Sequence, residues 1–202
     1  MKSLSLSTML LFSLCATLCC PEDDITPANT FSIQNENLIS VEGNFSTFNL
    51  NDKITIQTEI PNNQVDLNGN PIDLKDLFYP DILENAFLEH SITLVKETGF
   101  GTLSEIIVSN SDIENITGTT EVNSEFINVI NVYDSDSDSF KSTFSITLKE
   151  TGTFFLSDKR FSFDDFSGIR ISGGVFELGF VEINTSIQNS NTEGAYEFIV
   201  NE

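Results

Sequence analysis

The sequence predicts an all-β fold, an antiparallel β-sandwich that follows a cleaved N-terminal signal segment. Three observations carry that reading. Apolar and polar residues alternate strictly in several runs, which is the period of a half-buried strand and not of a helix. Asn and Gly turn signals separate those runs. The remaining composition, 39% hydrophobic with 18 Phe in 202 residues, supplies a core large enough to argue against a disordered chain.

The elements follow in order. Lys2 opens the chain, residues 4–18 are mostly apolar, and Cys19, Cys20 and the acidic run Pro21-Glu22-Asp23-Asp24 come next. The apolar stretch falls short of the roughly 20 residues that a membrane-spanning helix needs. Its order of charge, apolar run and small residues is that of a secretory signal. All three cysteines, Cys15, Cys19 and Cys20, lie in this segment. The rest of the chain therefore has no disulfide framework, thiolate nucleophile or zinc-thiolate site. Residues 20–30 carry acids and prolines without a periodic pattern and read as a flexible acidic tether. Residues 31–202 are expected to form one β-sandwich domain.

Within that domain Phe140-Lys141-Ser142-Thr143-Phe144-Ser145-Ile146-Thr147-Leu148-Lys149 sends Phe140, Phe144, Ile146 and Leu148 to one side. The run from Ile54 to Ile60 repeats the pattern. Residues 86–95, 126–133, 175–187 and 195–200 are further strands rich in β-branched and aromatic residues, and residues 106–108 and 152–156 shorter ones. Turns are expected at Asn68-Gly69-Asn70-Pro71, at Ser172-Gly173-Gly174 and over residues 188–194. A short helix, interrupted by Pro80, is expected over residues 74–86. Ser91-Ile92-Thr93-Leu94-Val95-Lys96-Glu97-Thr98-Gly99 parallels Ser145-Ile146-Thr147-Leu148-Lys149-Glu150-Thr151-Gly152. The flanks of the two copies diverge at once, so two strands of one sandwich ending in the same turn is preferred to two small domains.

Two resemblances add to this. The start resembles a bacterial lipoprotein signal, in which the thiol at the end of the apolar run receives a diacylglycerol group. Leu18 before Cys19 is bulkier than the residue usual at that position, so Cys20 is the expected lipid attachment site and Cys19 the alternative. The acids after the cysteine resemble the surface-export signal of Bacteroidota lipoproteins, and the Asn- and Ile-rich, Arg-poor composition is similar to flavobacterial chains. That resemblance implies an outer-membrane lipoprotein, exposed at the cell surface and joined to the membrane through its N-terminal lipid. Several acyl chains hold stably where one is reversible. Phe48-Asn49-Leu50-Asn51-Asp52-Lys53-Ile54-Thr55-Ile56 and the acid–glycine–aromatic runs Glu150-Thr151-Gly152-Thr153-Phe154 and Glu193-Gly194-Ala195-Tyr196 resemble immunoglobulin-like bacterial domains, implying an immunoglobulin-like sandwich. Without a cysteine pair or core Trp, antibody-type domains are not close relatives.

Charge narrows the function. With 31 Asp and Glu against 9 Lys and Arg, the net charge is −22, and loss of residues 1–19 removes Lys2 and no acid. Phosphate backbones repel such a chain, so no nucleic-acid partner is expected. Asp134, Asp136 and Asp138 stand at every second position, a spacing that lets carboxylates converge on Ca²⁺. A calcium-stabilised adhesion module is one reading of the chain, although Ser139 and Ser145 replace the glycine and the closing Glu of an EF-hand loop. Asp66, Asn68 and Asn70 form a poorer oxygen cluster, better read as a turn. The carboxylate pairs Asp164/Asp165 and Asp112/Glu114 open a second reading, a surface glycan hydrolase with a general acid and a general base. His90, the one histidine, lies in phase with Leu88, Ile92 and Leu94. It has no nucleophile motif to serve, and alone it cannot build a histidine metal site. Phe161, Phe163 and Phe166 alternate with polar residues and could offer a ring to solvent, but most Phe belong inside. No catalytic motif is found. The leading expectation is a non-enzymatic, lipid-anchored binding or assembly module needing no cofactor, its protein or glycan partner undefined.

Overall fold

The computed structural model describes residues 29–99, 101–158, 168–192 and 194–202. The signal segment with Cys19 and Cys20, most of the tether, and Asp164, Asp165, Phe161, Phe163 and Phe166 lie outside the described residues.

Alternation becomes strand along most of the chain, and the result is an all-β, largely antiparallel sandwich. In order the strands are β1 (Thr30–Gln34), β2 (Ile39–Val41), β3 (Thr47–Asn49), β4 (Lys53–Pro61), β5 (Asn63–Val65), β6 (Pro71–Asp73), β7 (Phe87–Glu97) and β8 (Leu103–Glu105). There follow β9 (Ile113–Thr117), β10 (Thr119–Val122), β11 (Ile127–Asp134), β12 (Ser139–Thr147), β13 (Gly152–Ser157), β14 (Ile169–Val175), β15 (Gly179–Thr185) and β16 (Tyr196–Asn201). The main path is β1-β15-β14-β7-β11-β12-β4-β2. It curls back on itself, because Ile39 of β2 bridges Ile187, just past β15, and accepts a 2.7 Å bond from the Gln188 amide. A second group, β8 and β13 on β7, then β16 and β3, branches from the far half of β7. Pairing is antiparallel except for β1 with β15 and β3 with β16.

Two apolar clusters fill the interior. One gathers Ile54, Ile56, Ile92, Leu94, Val129, Phe144, Ile146, Phe154 and Phe198; the other gathers Ile60, Leu74, Leu88, Phe140, Ile171, Val181 and Ile183. Between them runs a buried polar belt. On five strands one polar side chain separates the members of the two clusters: Thr58 on β4, His90 on β7, Asn131 on β11, Ser142 on β12 and Thr185 on β15. Asn131 Nδ2 donates to Leu88 O at 2.8 Å and to His90 Nδ1 at 3.1 Å, and Ser142 Oγ donates to Asn131 Oδ1 at 2.7 Å. Thr185 Oγ1 accepts from the Leu38 amide at 3.1 Å.

Four expectations change. The strand expected over residues 175–187 is a hairpin: β14 ends at Val175 and β15 begins at Gly179. Ser172-Gly173-Gly174, expected as a turn, lies inside β14. Its glycines serve close approach, since a Cβ on Gly173 would stand 2.6 Å from Leu88 Cδ2 and 2.8 Å from Phe87 O. Gly174 takes φ 130°, and a Cβ there would run into the Gly179 carbonyl oxygen. The helix expected over residues 74–86 is two 3-10 turns, Leu74–Leu77 and Pro80–Asn85, because Pro80 starts a new turn and cannot continue the old one. Ile106 and Val108 pack on the core without joining a strand, β8 having ended at Glu105. The two Lys-Glu-Thr-Gly segments approach each other, with Lys96 Nζ 2.6 Å from Glu150 Oε2.

Gly173→Ala is expected to cost about 1–3 kcal/mol in urea unfolding, through overpacking against β7. Gly99→Ala, with nothing within 4 Å of the added Cβ, is the control and is expected to leave the midpoint in place.

Candidate binding face

Strand register lays out the outer face of β11-β7-β14-β15-β1 in rows. Leu88, Ile171 and Val181 point inward to the second cluster, so their neighbours point out. Ser172 pairs with Glu89 and with Glu182, Glu89 with Ile130, and Glu182 with Ser32. One step along, Phe180 pairs with Gly174 and with Thr30, and the same register sets Gly174 beside Phe87, itself opposite Val132. On the other side Arg170 pairs with Asn184, and Ser91 with Asn128.

In two of these rows the β14 position is small, Ser172 and Gly174; in the third it is Arg170, and the small residue is Ser91 on β7. Ser91, Ser172 and Gly174 form a low floor, with longer side chains to either side. Over the serines the face sinks into a depression of about 270 Å³ lined by Glu89, His90, Ser91, Asn128, Asp158, Arg170, Ser172 and Glu182. His90 contributes backbone there, because its ring lies inside with Asn131. Asp158 is only 6% exposed. Asn128 Nδ2 donates to Glu89 Oε2 at 3.3 Å, and Arg170 Nη1 lies 3.6 Å from Glu182 Oε1. Phe87 and Phe180, 44% and 37% exposed, flank bare glycine backbone in the adjoining row.

The residues singled out from sequence fall elsewhere. Asp134, Asp136 and Asp138 lie in the β11–β12 hairpin loop, and their oxygens have separate partners. Asp134 accepts from the Asp136 amide at 3.1 Å and from Ser137 Oγ at 2.7 Å, and Lys141 stands 3.3 Å away. The Ser137 bond leads in holding its carboxyl below the usual range. Asp138 accepts from Tyr133 OH at 2.7 Å, with Lys75 at 3.8 Å. That bond lowers the Asp138 carboxyl and raises the Tyr133 phenol. Asp136 is exposed. Among the described residues no three His, Cys, Asp or Glu side chains are placed to hold a metal ion. Asp66 Oδ1 accepts from the amides of Asn68 and Asn70 at 2.8 and 2.7 Å, which is a turn held by its own carboxylate.

Asp112 and Glu114 are drawn to different lysines. Glu114 meets Lys53 at 2.5 Å, and this bond lowers its carboxyl; Asp112 lies 3.9 Å from Lys149. His90 is buried on the inner face of β7. Asn131 Nδ2 can only donate, so His90 Nδ1 accepts and the ring proton sits on Nε2. Nε2 has no hydrogen-bond partner among the described residues. Burial pushes the ring down to about 3 from 6.5.

Sequence reading missed the face, because it takes Glu89, Ser172 and Glu182 from three strands and its floor from glycine and serine. The one available signal was the alternation of Phe87, Glu89 and Ser91 against Leu88, His90 and Ile92.

No family model and no curated protein matches the chain. Among solved structures, a type II cohesin domain from the cellulosome of Acetivibrio cellulolyticus is similar at 14% identity and a TM-score of 0.29, over 76% of this chain and 91% of that one.

The buried imidazole gives a signed pH dependence. The unfolded chain binds a proton at His90 near pH 6.5 and the folded chain only near 3. This contribution to stability is therefore whole above pH 6.5 and drains as pH falls toward 3. Urea unfolding at pH 7 and 4.5 should show roughly 2–3 kcal/mol less pH-linked loss in His90→Gln than in the parent chain, the carboxylates being common to both.

Proposed function

We propose that this chain is a non-catalytic recognition module, held on the outside of a cell envelope by an acylated Cys20 (or Cys19), that docks a partner on the outer face of β7, β14 and β15. The observation that carries the reading is the face itself. Its serine floor and the carboxylates on either side form a depression in which polar groups converge, which is what a binding site requires, and two half-exposed rings stand in the adjoining row. A solvated sheet face has no need of two large rings on either side of a glycine. Catalysis finds less support. The lone imidazole is on the inner side of the sheet, and Asp112 and Glu114 are turned toward Lys149 and Lys53. The anchor rests on the apolar run ending at the two cysteines and on the acids behind them.

Two measurements test the two halves. Labelled palmitate should enter the parent chain and be lost in the Cys19→Ala/Cys20→Ala double variant; a label that persists refutes acylation at this pair. For the face, Ser172→Cys carrying a benzophenone is expected to give a discrete photo-adduct on intact cells. The same label at Glu105→Cys, on the branch sheet, should give none. Equal adducts at both positions, or none at either, refute docking at this face.

A further inference from the structure

Resting on that docking face, we infer that its occupant is an arginine side chain from a basic protein segment, seated over Gly174 between Phe87 and Phe180 and paired to Glu89 and Glu182. Spacing comes first. Neighbouring strands lie about 4.8 Å apart, so rings on β7 and β15 start roughly 10 Å from each other across β14. A cation is held within about 6 Å of a ring centroid, so one placed midway reaches both rings. Gly174 puts no side chain at that midpoint, and its φ of 130°, with the Gly179 carbonyl oxygen against any added Cβ, keeps it glycine.

Charge selects the class of occupant. The next row sets Glu89 and Glu182 on either side of Ser172, one step from the rings, and Asp158 also lines the depression. Arg170 lies opposite Asn184 in the row beyond, from which its guanidinium comes within 3.6 Å of Glu182; the ring row and the glutamate row themselves contain no basic residue. The whole chain carries −22, which draws a cationic partner in and repels an anionic one. A guanidinium suits the geometry better than an ammonium, because its plane stacks on rings while its fork bonds two carboxylates. A neutral glycan would use the rings but would bring no charge to Glu89, and would leave Glu182 only the 3.6 Å approach of Arg170.

The test uses the full chain in detergent micelles and a fluorescent, capped tetra-arginine peptide, read by anisotropy. Phe87→Ala/Phe180→Ala leaves net charge untouched and is expected to weaken binding about tenfold. Glu89→Gln/Glu182→Gln should weaken it at least as much. The charge-matched control Glu105→Gln/Glu197→Gln, at exposed sites on the branch sheet, should stay within about twofold of the parent. A tetra-citrulline peptide, equal in shape and uncharged, should not bind. Equal losses from the two Gln pairs reduce the effect to diffuse attraction and overturn the inference. So do an unchanged affinity without the rings, citrulline binding as well as arginine, or no arginine binding at all. Should the photo-adduct of the labelled Ser172→Cys variant persist alongside any of these, the face still docks a partner of other chemistry. Loss of both removes the docking face as well.

Discussion

β7 takes strand partners on both of its backbone edges, and this constraint organises the rest of the molecule. From Phe87 to Ile92 one edge pairs with β11, while Glu89 meets Ser172 of β14 on the other. Beyond Thr93 the partners become β13 and β8. A strand that changes neighbours halfway belongs to both layers of the sandwich, so its far half is covered on both faces. The burial pattern records this: after alternating through Phe87, Leu88 and Glu89, six residues from His90 to Val95 are buried in succession. Fully covered strands read as unbroken runs and half-covered ones as alternation.

The polar belt fixes how the other strands meet β7. A side chain repeats its facing every second residue, so a slip of one would turn a whole strand inside out. A slip of two would keep the facing and is resisted by apolar packing only through shape. The belt resists it through chemistry, because a shifted β12 would set Phe140 or Phe144 against Asn131 and leave its amide without Ser142. Buried amides left without partners cost about 1–3 kcal/mol each. The belt carries its own cost in His90 Nε2 and Thr58 Oγ1, which lack partners among the described residues. It divides the interior into two apolar compartments that are each built from several strands.

How far the fold was legible follows from the same physics. β4, β11, β12, β13 and β16 were legible because each has one wet and one dry face, or a clear aromatic and β-branched run, within a few residues. β9 and β10 were not. Their side chains are mostly exposed, and they are strands because β12 and β11 offer them edges, a fact that no local pattern contains. Gly173 and Gly174 mislead for a related reason. Local chemistry assigns a glycine pair to a turn, whereas here the demand comes from Leu88 and Phe87 on another strand. The carboxylates of the Asp134 to Asp138 loop stood out in the sequence by their spacing, but their partners, Lys141 on the following strand and Lys75 far back in the chain, did not.

That glycine pair also connects the fold to the face. Gly173 lets β14 settle against Leu88, and Gly174 lets it turn into the hairpin toward Gly179. A β14 with ordinary side chains at these positions would ride higher over the second cluster. The tight inner packing and the bare outer floor are thus two consequences of one local choice, glycine where β14 crosses the start of β7. A glycine within a strand weakens it unless something approaches closely. At Gly173 the approaching group is Leu88. At Gly174 the hairpin strand supplies it from the side, and the outward direction is left open between two rings.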